Sequence, residues 1–135
     1  MKILIISLLL VSNMVYASLT AEERITHCYS LTTISSAINN CLYDNYNEIR
    51  KDFYLTFIEL NKKIESQQKY ITHYNILKRK LADSKRNWQN SVNADCLLEA
   101  YVYEKDSYSF FSTKYSCLIN RYRQRIDYYH DFEFM

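Results

Sequence analysis

The sequence predicts an all-α fold: a small antiparallel bundle of three long helices behind a short N-terminal one, stapled by two disulfides. Three observations lead there. The 135 residues include no glycine and no proline, where average usage would place about 16. Tight hairpins and many β-bulges depend on those residues, which argues against a sandwich or barrel. Every long segment repeats its apolar residues at steps of three and four, and no period-two alternation lasts beyond a few residues. Finally, four cysteines lie beyond a leader that directs export, and an even number in an exported chain points to paired bridges.

The leader occupies residues 1–17. Lys2 supplies a positive start and residues 3–11 an apolar run interrupted only by Ser7. Val15 and Ala17 fit the positions before a cleavage at Ser18. The run is shorter than the ~20 residues a membrane span needs, so no stable insertion is expected after cleavage. The mature domain then spans 18–135 with 16 basic and 15 acidic residues, a net charge of +1. That is long enough for one real core.

Thr20 with Glu23 three residues later is a capping box, opening a short helix that reaches about Tyr29. Residues 30–33 make the break, and Thr33 can cap the second helix. Ile34, Ile38, Cys41, Leu42, Ile49, Phe53, Leu60 and Ile64 form one stripe on that helix, roughly 30 residues long. Polar residues 61–69 read as the next turn. Tyr74, Leu77, Leu81, Trp88, Val92 and Cys96 carry a second stripe toward Val102, residues 104–109 form a loop, and Phe111, Tyr115, Leu118, Tyr122, Ile126 and Tyr129 make the last stripe. Helices of this kind joined by short turns pack antiparallel.

Cys28, Cys41, Cys96 and Cys117 allow three connectivities. Local pairing, Cys28–Cys41 with Cys96–Cys117, is favoured because each bridge closes one helix-turn-helix. Zinc is the rival, but no CxxC pair exists, and His27 and Cys28 as helical neighbours point apart.

The absent glycines exclude phosphate-cradling and dinucleotide loops, and no cofactor motif is present. His27, His73 and His130 lie in no elbow or triad motif, and no spacing singles out a carboxylate pair, so a binding role is expected over an enzymatic one. His130 between Asp127 and Asp131 reads as a solvated helix end and not a metal site. Lys78, Arg79, Lys80, Lys85 and Arg86 form one basic cluster, and Arg121, Arg123 and Arg125 another. At +1 in an exported chain these read as solvated faces, with no nucleic-acid partner. Of the fourteen tyrosines, Tyr74, Tyr115, Tyr122 and Tyr129 occupy core positions, while Tyr43, Tyr46, Tyr54 and Tyr70 lie beside the stripes as interface candidates.

Leu81, Arg86, Trp88 and Cys96 stand in the pattern L-x4-R-x-W-x7-C, with Ala94 and Asp95 before the cysteine. This resembles the signature of the small secreted four-cysteine family named after the lysozyme inhibitor LprI. Cys28 and Cys41 resemble its leading pair, and Cys117 with Arg125 beyond it resembles its closing C-x7-R. The likeness runs from about His27 to Tyr129. Departures are Phe53, Tyr54 and Phe57 where the family has a Leu-Asn…Tyr element, Val92 and Asn93 where it often has Arg-Asp, and residues 108–112 in place of a Gly-Ser loop. The resemblance implies an exported, periplasmic or secreted helical domain that inhibits lysozyme by binding it. A cationic enzyme calls for acids, and Asp95, Glu99, Glu104 and Asp106 surround the loop between the last two helices. The alternative function is an envelope or secreted interaction module that binds another protein through its tyrosines.

Overall fold

The computed structural model describes residues 19–133, among which four α-helices succeed one another with no strand. They are α1 (Ala21–Leu31), α2 (Ser35–Ser66), α3 (Tyr74–Ala100) and α4 (Tyr108–His130), with a 3-10 turn, Gln68–Tyr70, between α2 and α3. The all-α expectation holds. The expected leader, 1–17, and its cleavage point lie outside the described residues.

The capping box at the start of α1 is formed in both directions. The Glu23 amide donates to Thr20 Oγ1 at 3.2 Å, and the Thr20 amide to Glu23 Oε2 at 2.7 Å. Those bonds to Thr20 hold the Glu23 carboxyl below its ordinary value. α1 runs to Leu31, past the expected end at Tyr29. The break is organised by Thr32, whose Oγ1 accepts the Ile34 amide at 3.1 Å, and not by Thr33. Ile34 is the backbone cap of α2 with no side-chain bond, and at 63% exposure it leaves the expected stripe.

Leu42, Ile49, Phe53, Leu60 and Ile64 are buried along α2 as the stripe predicts. Thr56 joins them because its hydroxyl donates to the Asp52 carbonyl at 2.9 Å, which satisfies it inside the helix. The turn expected over 61–69 begins later. Leu60 and Ile64 keep their register against the core, while the Asn61 amide donates to the Phe57 carbonyl at 3.0 Å. The helix therefore continues to Ser66. At the other end α3 stops at Ala100, and Val102, expected to extend the stripe, is 81% exposed in the turn beyond. The loop accordingly begins at Tyr101, not at 104, and ends when Ser107 accepts the Phe110 amide at 3.2 Å to cap α4.

α2 and α4 share the principal interface, α3 packs on α4, and α1 lies across both α2 and α4. The centre is aromatic. Phe53 has its ring centroid 5.1 Å from Trp88, 5.0 Å from Tyr122 and 5.6 Å from Tyr129. Tyr122 and Tyr129 are buried as expected, whereas Tyr74 and Tyr115 are only half-buried. Burial, partly offset by the Gln89 side chain, pushes the Tyr122 hydroxyl up to about 12.

Both bridges take the local pairing: Cys28–Cys41 ties α1 to α2, and Cys96–Cys117 ties α3 to α4. Each contributes on the order of 3 kcal/mol in the chain-entropy account. Asn45 braces the first, its amide donating to the Cys41 carbonyl at 3.0 Å and to Cys28 Sγ at 3.3 Å. Because α2 and α4 start where α3 ends, the two bridges lie toward one end of the bundle.

Candidate functional site

At the disulfide end a groove opens between α2 and α4, with a volume of about 590 Å³. Ser36, Asn39, Asn40 and Tyr43 line it from α2, Asp106 and Ser107 from the loop, and Tyr108, Phe111 and Tyr115 from α4. Both helical sets have the spacing of one helix face, 36/39/40/43 and 108/111/115, so two straight helices suffice to build the walls. Asn39, 9% exposed, joins them: its amide donates to the Tyr108 carbonyl at 3.2 Å. The floor is a cluster of packed rings. Tyr115 lies 5.3 Å from Tyr43, 6.0 Å from Tyr46 and 6.2 Å from Phe111. Burial, and then the neighbouring hydroxyls of Tyr43 and Tyr46, raise the Tyr115 hydroxyl above its ordinary value. Asp106 sits at the rim with φ 65°, a left-handed conformation that aspartate tolerates better than most residues.

A smaller recess of about 330 Å³ adjoins it, sharing Asn39 and Tyr108 and adding Tyr29 and Tyr103. Beyond it, Leu98, Tyr101 and Val102 are more than half exposed at the end of α3.

The four expected docking acids all fall at this end, in different settings. Asp106 lines the groove, and Glu104 stands exposed in the same loop. Glu99 lies 3.7 Å from Arg121, and Asp95 is exposed one turn earlier on α3. The motif residues lie elsewhere. Leu81 is buried, and Trp88 is half-buried against Phe53 and Tyr122. Arg125 has its guanidinium 5.5 Å from the Trp88 ring centre, 4.5 Å from Tyr128 and 5.0 Å from Tyr129, and donates to Ser84 Oγ at 2.7 Å. Arg86 is outside this layer, exposed and paired with Asp83 at 2.8 Å on its own helix.

The four tyrosines read as interface candidates do not share a face. Tyr43 belongs to the groove. Tyr46 is half-buried between Tyr115 and Tyr122, under the Arg50 guanidinium. Tyr54 accepts the Gln89 amide at 3.0 Å and lies under Lys85, while Tyr70 stands 71% exposed at the far end. Tyr108 and Phe111, assigned to a loop and to the core, turn out to be groove walls. The signal for them was present: a capping serine and then aromatics at 108/111/115.

The basic clusters are largely engaged with the chain itself. Lys78 donates to Asn61 Oδ1 at 2.9 Å and to Glu65 Oε1 at 2.6 Å, Lys85 lies over Tyr54 and Phe57, and Arg123 pairs with Asp127 at 3.1 Å. Among the described residues no three His, Cys, Asp or Glu side chains are grouped to hold a metal ion, and no helix is long and apolar enough to cross a membrane.

Antiparallel packing sorts the charges in a way the sum conceals. Cutting each long helix at its middle, residues 19–50 and 88–119 form the disulfide half, with eight acids and four bases. Residues 51–87 and 120–133 form the other, with seven acids and twelve bases. The halves carry −4 and +5, and the groove lies in the negative one.

No curated protein and no solved structure matches the chain. The family described as Lysozyme inhibitor LprI matches residues 28–128, a stretch that begins at the first cysteine and takes in both bridges, the Trp88–Arg125 layer and the whole groove. The chain belongs to the LprI lysozyme inhibitor family.

Proposed function

We propose that this chain is exported and inhibits lysozyme by binding it, without catalysis of its own. The observation that carries the reading is family membership across residues 28–128, which contain both bridges. Two intact disulfides support an oxidising compartment, periplasmic or outside the cell. The charge separation supports the binding mode. A net charge of +1 gives no global attraction to a cationic enzyme, but a half carrying −4, to which Asp95, Glu99, Glu104 and Asp106 belong, orients the encounter.

Lysozyme activity titrated with the purified, oxidised chain at low and moderate salt tests this. The expected result is stoichiometric inhibition that weakens as salt screens the acids. No inhibition of several lysozyme types by a folded, disulfide-intact sample overturns it. A second reading, an interaction module for a different protein, draws on the exposed apolar end of α3: Leu98 at 72%, Tyr101 at 52% and Val102 at 81%.

A further inference from the structure

We propose that the groove between α2 and α4 is the seat for a basic side chain, an arginine or lysine presented by a cationic protein partner. The chain itself shows what its exposed rings take. In the basic half, Lys85 lies over Tyr54 and Phe57, and Arg125 over Trp88, Tyr128 and Tyr129. Lys114, beside the groove and not among its lining residues, reaches the Tyr115 ring at 5.9 Å, and among the described residues no basic side chain lies over Tyr43, Tyr108 or Phe111. Tyr43 and Tyr108 are about half exposed, and the Phe111 ring stacks on Tyr115.

The surroundings select a cation. No lysine or arginine lines the groove, and its one charged group is the Asp106 carboxylate at the rim. Asn40, Ser36 and Ser107 offer further oxygens, and this half carries −4. A guanidinium entering between the rings would meet aromatic faces for its plane and a carboxylate for its N–H groups, the two partners arginine prefers. The inference deepens the inhibitor reading, because lysozyme is the cationic partner tested first.

Two measurements on the purified, oxidised chain decide it and keep the two readings apart. In a nitrogen-15 NMR titration, N-acetyl-arginine amide should shift the signals of Tyr43, Asp106, Tyr108 and Phe111, and N-acetyl-norleucine amide should not. In lysozyme binding, Tyr43→Ala and Asp106→Asn should each weaken affinity by about tenfold, with Ile76→Ala, exposed on the first turn of α3, as the unchanged control. Asp106→Asn keeps a side chain suited to the left-handed backbone, so its loss of binding is not a loss of fold. Absence of the arginine shifts, their replacement by shifts from tri-N-acetylchitotriose, or wild-type affinity in both variants overturns the inference. If lysozyme does not bind the wild-type chain while the arginine amide still titrates the groove in an Asp106-dependent way, the inhibitor reading falls and this one stands.

Discussion

From the middle of the bundle toward its basic end Arg125 and Lys85 lie over rings of their own chain, and Phe53 packs against Trp88, Tyr122 and Tyr129. At the disulfide end equally aromatic helix faces, Tyr43 on one side and Tyr108, Phe111 and Tyr115 on the other, stop short of closing and leave a groove edged by Asp106. One composition thus gives two outcomes. Toward the basic end Arg125 and Lys85 cover rings of the chain; at the disulfide end Arg50 lies over Tyr46 and Lys114 over Tyr115, but Tyr43, Tyr108 and Phe111 carry no such cation among the described residues. The bridges fit this division. The open end lacks the interlocked ring layer, and both covalent ties are placed there.

Truncating the closed end should have the largest effect. Phe53→Ala removes a fully buried ring that touches Trp88, Tyr122 and Tyr129, and should lower stability in urea by about 3–5 kcal/mol. A loss under about 1 kcal/mol would mean the layer is not the core. Cys96→Ser attacks the other end by untying α3 from α4, at about 3 kcal/mol in oxidising buffer. Unchanged melting would show that the open end needs no staple.

Alkaline pH probes the ring layer by a different route. The Tyr122 hydroxyl is raised to about 12, chiefly by burial, so the neutral form is the one the fold favours. Its contribution is complete below the ordinary tyrosine value near 10 and is lost as pH climbs through about 12. It amounts to about 3 kcal/mol, two units at the scale of roughly 1.4 kcal/mol each. Denaturation midpoints measured from pH 9 to 12 should fall more steeply for the wild-type chain than for Tyr122→Phe; identical slopes would place the alkaline weakness elsewhere. The smallest expected change is Asp106→Gly. Relieving the φ of 65° should leave stability the same or raise it by less than about 1 kcal/mol, while binding of a cationic partner declines. A melting temperature that drops would show that the carboxylate serves the fold and not the groove.

Much of the helical packing is legible in the sequence at both ends. The Leu42–Ile49–Phe53–Leu60–Ile64 stripe, the Thr20–Glu23 box and the local cysteine pairing each express a short-range rule, and each appears as read. The errors fall at element ends. Residues 61–66 are polar enough for a turn yet stay helical, because an exposed helix face and a turn share one composition while buried Leu60 and Ile64 decide between them. Val102 fits the period of its stripe but lies in the turn beyond the end of α3 at Ala100, where it is exposed. The groove was not legible because its walls lie more than sixty residues apart. The faces 36/39/40/43 and 108/111/115 are each ordinary; only their meeting, fixed by Asn39 on the Tyr108 carbonyl, makes a site. The charge separation is hidden for the same reason, since each half is assembled from segments distant in sequence and the total comes to +1.

The central claim is that a cationic partner docks on the negative, disulfide-stapled end. Amide hydrogen exchange of the oxidised chain, with and without saturating lysozyme, tests it most directly. The account predicts added protection confined to residues 36–43 and 104–115, fading as salt is raised. Protection centred on 61–80 and 121–130, or none in a complex that still inhibits, would contradict it.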